Sequence, residues 1–101
     1  MLVQMISSAV TKPGTVALAD LQSATIPRYK VLLHNDDMNT MEHVVKVLMR
    51  VFKFKQEICE VIMMEAHHKG VALCTIEPLE QAELHRDQLI SYSLISTIEP
   101  E

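Results

Sequence analysis

Between Tyr29 and Phe52 the spacing of apolar residues switches from every second position to every third or fourth, and a polar run marks the switch. Tyr29, Val31 and Leu33 share one face of an extended segment and Lys30, Leu32 and His34 the other, so Tyr29–His34 is expected to be a strand. Asn35-Asp36-Asp37-Met38-Asn39-Thr40 follows; Asn and Asp favour turns, and Thr40 is placed to cap a helix. That helix, over about Met41–Lys53, carries Met41, Val44, Val45, Val47, Leu48, Met49, Val51 and Phe52 around an arc of about 200°. A helix covering one side of a core needs roughly half of that. The surplus implies burial on two sides or a second apolar surface, such as the wall of a pocket.

The same two periods organise the remainder. Gln56–Lys69 is expected to be a helix stopped by Gly70, with Ile58, Cys59, Ile62, Met63 and Ala66 in a stripe about 140° wide and His67 on its edge. Val71–Ile76 reads as a strand. Pro78 suits the first turn of a third helix reaching about Ile90, with Leu79, Ala82, Leu89 and Ile90 on one side and Leu84 off it. Tyr92–Ile98 closes the chain as a strand. The order β-α-α-β-α-β predicts an α+β two-layer single domain: a three-stranded antiparallel sheet with three helices on one face, spanning residues 28–101. Residues 1–27 lack a clean period and are broken by Pro13-Gly14, so a flexible N-terminal extension is expected there.

Composition removes several function classes. A net charge of −4, with no basic run longer than two residues, opposes nucleic-acid binding, which needs a dense Lys/Arg face. No apolar run approaches the roughly 20 residues that span a bilayer, and no basic segment precedes a long apolar one at the start, so neither a membrane anchor nor a secretory signal is expected. Cys59 and Cys74 lie in apolar segments without metal-ligand spacing and read as buried, reduced thiols. His67 is too far along the helix from Cys59, about 12 Å of rise, to serve as its base. Adjacent His67 and His68 point about 100° apart and do not chelate one ion. With no phosphate-cradling glycine loop or hydrolase motif either, the chain is expected to be no enzyme and to carry no metal or cofactor.

The acidic turn, the surplus helical arc and the Met63, Ala66, His67 edge of the second helix combine into one expectation. A pocket built from them has an apolar floor and a rim of hydrogen-bond acceptors. It suits an amphiphilic cation, a hydrophobic side chain attached to an ammonium group; the ammonium offers three donors and no acceptor.

Those residues also carry a family likeness. The run Tyr29-Lys30-Val31-Leu32-Leu33-His34-Asn35-Asp36-Asp37, followed by Met41-Glu42 and Val44, closely resembles ClpS, the bacterial and plastid adaptor that delivers N-degron substrates to a Clp-family AAA+ unfoldase and its peptidase. The similarity continues through Val47-Leu48, Phe52, Met63, Ala66-His67, Gly70 and Ala82-Glu83, from about Pro27 to Glu99. The resemblance implies that Asn35, Asp36 and His67 hold the substrate's free α-amino group. It implies a hydrophobic pocket from Asp37, Met38, Thr40, Met41, Val44, Met63, Ala66 and Leu94, with Met41 at its mouth. It assigns docking on the unfoldase's N-domain to Glu80, with His85 where the family usually has a Lys, and engagement of the unfoldase to residues 1–27. The expected compartment is the bacterial cytosol or the plastid stroma.

The chain also departs from the family pattern. Met38-Asn39-Thr40 stands where aromatic-Thr-Pro is usual, and Ala66 replaces a Val, which widens the pocket. The third helix and its connection to the last strand are several residues short. These departures motivate an alternative, a docking protein of the same fold that occupies or inhibits the unfoldase without binding N-degrons.

Overall fold

The computed structural model describes residues 26–101, and the expected N-terminal extension lies outside them except for its last two residues. Strand β1 (Arg28–His34) occupies the centre of a three-stranded sheet, with β2 (Val71–Pro78) and β3 (Ile95–Pro100) antiparallel on either side. Helices α1 (Met41–Phe52), α2 (Gln56–Lys69) and α3 (Leu79–Ser91) supply the second layer. The expected alternation holds in β1: Val31 and Leu33 are buried, whereas Lys30, Leu32 and His34 are only half-buried. They meet Val45, Val47, Leu48 and Val51 of α1, Cys59, Ile62 and Ala66 of α2, and Ala82 and Leu89 of α3 in one core. The α+β two-layer architecture is therefore the one expected.

Local chemistry sets the ends of the elements. Thr40 caps α1, its hydroxyl oxygen accepting the His43 N–H at 3.1 Å. The helix stops at Phe52 rather than Lys53, because Lys53 turns left-handed at φ 62° and sends its N–H back to the Met49 carbonyl. Thr40→Ala removes the cap acceptor without touching the core, and chemical denaturation should show a loss of about 1 kcal/mol.

Three expectations at the helix and strand boundaries need correction. The last strand begins at Ile95, not Tyr92: the N–H groups of Tyr92, Ser93 and Leu94 donate back to the Leu89 and Ile90 carbonyls of α3 instead of joining the sheet. Ser93 makes that reversal at φ 74°. Strand β2 runs past Ile76 to Pro78, since Glu77 and Pro78 pair with Tyr29 and Arg28, and Pro78 caps α3 rather than opening its first turn. Ile58, Leu79 and Ile90 are exposed. The buried line of α2 runs through Cys59, Ile62 and Ala66, the middle of the expected stripe, which leaves Ile58 on its edge turned outward, and α3 approaches the sheet on small Ala82.

Both cysteines are free thiols, Cys59 buried and Cys74 half-buried. Val31 pairs with Thr75 and Leu32 with Leu73, so Cys74 is the extra residue of a bulge. Burial, reinforced by Cys59 and Glu77 nearby, pushes its thiol from 9.0 up to about 12. Above pH 9 the unfolded chain therefore loses this proton while the folded chain keeps it. Stability attributable to Cys74, full below pH 9, should fall by about 1.4 kcal/mol per pH unit until about 12. Denaturation of the wild type and Cys74→Ala across that window checks this: the variant should show the shallower decline.

Candidate functional site

Two chain reversals meet at one end of the sheet. Gly70 ends α2 at φ 91°, a backbone region L side chains rarely adopt, and its carbonyl accepts the Asn35 N–H at 2.9 Å. That bond joins the end of β1 to the last turn of α2 and so brings Asn35 beside the helix end that carries His67. Asp36 organises the loop that leaves β1. Its Oδ1 accepts the backbone N–H groups of Met38 at 2.9 Å and Asn39 at 2.8 Å, an Asx turn.

A small cleft, open to solvent, lies where β1, this loop, α1 and α2 converge. Leu33, Val44, Met63 and Ala66 give it an apolar lining, with Met41, 45 % exposed, at its edge. Asn35, Asp36 and His67 bring an amide oxygen, a carboxylate and an imidazole to the same space. The carbonyl ends of the last turn of α2 add partial negative charge beside His67. Lys69, the cation of that turn, is drawn toward Glu65 at 3.6 Å. Val45, Val47, Leu48 and Val51 of α1 enter the core, Met41 and Val44 in its first turn face the cleft, and Met49, at the edge of the apolar arc, is exposed.

The remaining expected site residues stand elsewhere. Met38 is 91 % exposed and Asp37 also faces solvent; neither lines the cleft, nor does Thr40, whose hydroxyl is used as the α1 cap. Leu94 is buried in the core, 3 % exposed, and contributes no lining. Glu80 is exposed in the first turn of α3. His85 is turned inward, its Nδ1 2.5 Å from a Glu77 carboxylate oxygen and its ring 4.9 Å from that of Phe52. The cleft also uses residues that periodicity does not single out, His34 and Asn39. The sequence pattern marks His34 only as a strand position and Asn39 only as part of a turn. Among the described residues no group of three His, Cys, Asp or Glu is arranged to hold a metal ion, and no helix is long and apolar enough to cross a membrane.

This arrangement can do one kind of chemistry. Acceptors on one side of an apolar hollow can hold a cation that is covalently joined to a hydrophobic group.

Known proteins share this architecture and sequence. Residues 24–96 match the family described as ATP-dependent Clp protease adaptor protein ClpS. The chain is 44 % identical over 98 residues to the ATP-dependent Clp protease adapter protein ClpS of Synechococcus elongatus, covering 96 % of this chain and 99 % of that one. It is 47 % identical over 75 residues to a chloroplastic adapter of the same name class in Chlamydomonas reinhardtii, covering 73 % of this chain and 46 % of that one. The fold matches the structure of Agrobacterium tumefaciens ClpS2 bound to L-phenylalaninamide with a TM-score of 0.68 and 32 % identity, covering 74 % of this chain and 98 % of that one.

Proposed function

Because the chain belongs to the ClpS family of ATP-dependent Clp protease adaptors, we propose that its cleft binds the first residue of proteins with a free, hydrophobic N-terminus and that the protein delivers them to a Clp AAA+ unfoldase. The observation that carries this reading is the convergence of Asn35, Asp36 and His67 on a hollow lined by Val44, Met63 and Ala66. A chain's first residue is the group that joins an ammonium to a hydrophobic side chain within one atom. L-phenylalaninamide, bound by the Agrobacterium relative, has that same chemistry: a free amine, an apolar side chain and a blocked carboxyl.

The magnitudes are sufficient. Each charge-assisted hydrogen bond contributes about 1.5–3 kcal/mol, and burying a Leu- or Phe-sized side chain adds about 1.5–3 kcal/mol. After association costs, a micromolar complex is expected. Met41 at the edge crowds a β-branched first residue, so Val and Ile bind less well than Leu. The lining comes from β1, its loop, α1 and α2, so Glu80 on α3 stays free to dock on the unfoldase's N-domain while the cleft is occupied. His85, held by Glu77 and Phe52, contributes less to that face. The compartment proposed is the bacterial cytosol or plastid stroma, as for an adaptor with cyanobacterial and chloroplastic relatives.

Fluorescence anisotropy with peptides that differ only in an N-terminal Leu, Phe, Val or acetyl-Leu tests the reading. Leu and Phe should bind, Val more weakly, and acetyl-Leu at least about tenfold more weakly, because acetylation removes the charge and its donors. Equal binding of Leu and acetyl-Leu would rule out recognition of the amine. Absence of all binding would leave only docking on the unfoldase without N-degrons.

A further inference from the structure

Asn39 lies on the rim of the cleft, and its side chain reaches two parts of the fold at once. Nδ2 is 3.2 Å from both carboxylate oxygens of Asp36 and 2.8 Å from the Ser93 carbonyl oxygen, 54 residues away. All three partners only accept hydrogen bonds, so the nitrogen and not the oxygen of the amide must face them. One amide hydrogen is then shared across the Asp36 carboxylate, and the other goes to Ser93.

The two oxygens of Asp36 end up unlike. Oδ1 receives the Met38 N–H, the Asn39 N–H and a share of the Asn39 amide, and has no room for a further donor. Oδ2 receives only its share of the Asn39 amide and keeps lone pairs for a ligand. The two backbone donors hold Oδ1 and so already limit rotation about χ2. The Asn39 amide, which straddles both oxygens, adds the one tether that acts on Oδ2 itself. Through Ser93 the plane is also referred to the turn between α3 and β3, which α1 holds from the other side: His43 Nε2 donates to the Tyr92 carbonyl at 2.9 Å.

We propose that Asn39 is a positioning residue, which sets the Asp36 carboxylate so that Oδ2 meets the α-ammonium group of the bound first residue. This rests on the reading of the cleft given above. It predicts a loss confined to amine recognition, because the apolar lining from Val44, Met63 and Ala66 does not depend on Asn39. Preorganised acceptors bind a cation better than acceptors that must be ordered on binding.

Two ligands separate a positioning role from a structural one. The first is a peptide beginning with leucine; the second is the same peptide with 4-methylpentanoyl in place of leucine, which keeps the side chain and lacks only the amine. Their affinities are measured by chemical-shift titration for the wild type and Asn39→Ala. Asn39→Ala should weaken the amine peptide about tenfold and leave the des-amino peptide within about twofold of wild type. Equal weakening of both, whether by local rearrangement or by failure to fold, would make Asn39 merely structural and overturn the proposal. So would affinities unchanged for both. A wild-type protein that does not discriminate between the two ligands would instead sink the amine-binding reading on which the proposal depends.

Discussion

His67→Ala is expected to weaken binding of a peptide with a free N-terminal leucine by about 10- to 100-fold, and Asn35→Ala to do the same, while neither changes the fold detectably. Both side chains are exposed, and the structural bond at this corner runs through the Asn35 backbone N–H to Gly70, which an alanine retains. Under the proposed function, each variant loses an acceptor facing an ammonium that has left water to enter the cleft. Removing one partner of such a bond costs more than the bond itself contributes, because the remaining charge stays partly desolvated. The two losses should not add, since in the proposed site one amine is shared by both residues. Anisotropy titrations of the single and double variants, with far-ultraviolet circular dichroism as the check on folding, read all of this. Affinities within twofold of wild type in both single variants would move the amine site away from this corner.

The second large effect concerns the core. Leu48→Ala is expected to lower unfolding stability by about 2–5 kcal/mol, against the 5–15 kcal/mol of a typical domain. Leu48 is fully buried, midway along α1 and among the largest side chains sealed in the core, so its truncation leaves a void. Leu84→Ala, on the outward side of α3 and 55 % exposed, should change stability by less than about 0.5 kcal/mol. Urea unfolding of the two variants side by side tests whether the sheet and its helices form one cooperative core. A comparable loss in both would contradict the burial pattern. Because Leu48 lies one turn beyond Val44 and two turns beyond Met41 on the same side of α1, Leu48→Ala should also loosen the cleft and reduce peptide affinity.

Much of this architecture is legible in the order of the residues. Period-two spacing in Tyr29–His34 and helical spacing after Met41 place β1 and α1, since burying one face of each element is the largest local demand on a sequence. The over-wide arc of α1 resolves into a buried face with an exposed edge at Met49; the cleft takes Met41 and Val44 from the helix's first turn, not from a separate side. Short motifs point to Asn35, Asp36, Met41, Val44, Met63, Ala66 and His67 as one group, and the fold gathers those seven around the cleft. Asp37, Met38, Thr40 and Leu94, assigned to the pocket by the same resemblance, stand outside its lining. The direction of a loop side chain depends on what it can bond to, not on its neighbours in sequence.

The sequence by itself determined the kind and order of the elements, the ends of the helices to within a residue, and which polar groups accumulate near the turn after β1. These are local matters, decided by periodicity, capping and turn chemistry within a few residues. Only the tertiary structure decided the rest. Tyr92 to Leu94 carry apolar and polar residues that would suit a strand, yet their N–H groups return to α3, and that reversal delivers the Ser93 carbonyl to Asn39. The partner of Asn39 lies far along the chain, and no spacing rule connects them. Hydrogen bonds between distant segments form because packing of the sheet and helices brings those segments together. They can therefore be known only once the packing is known.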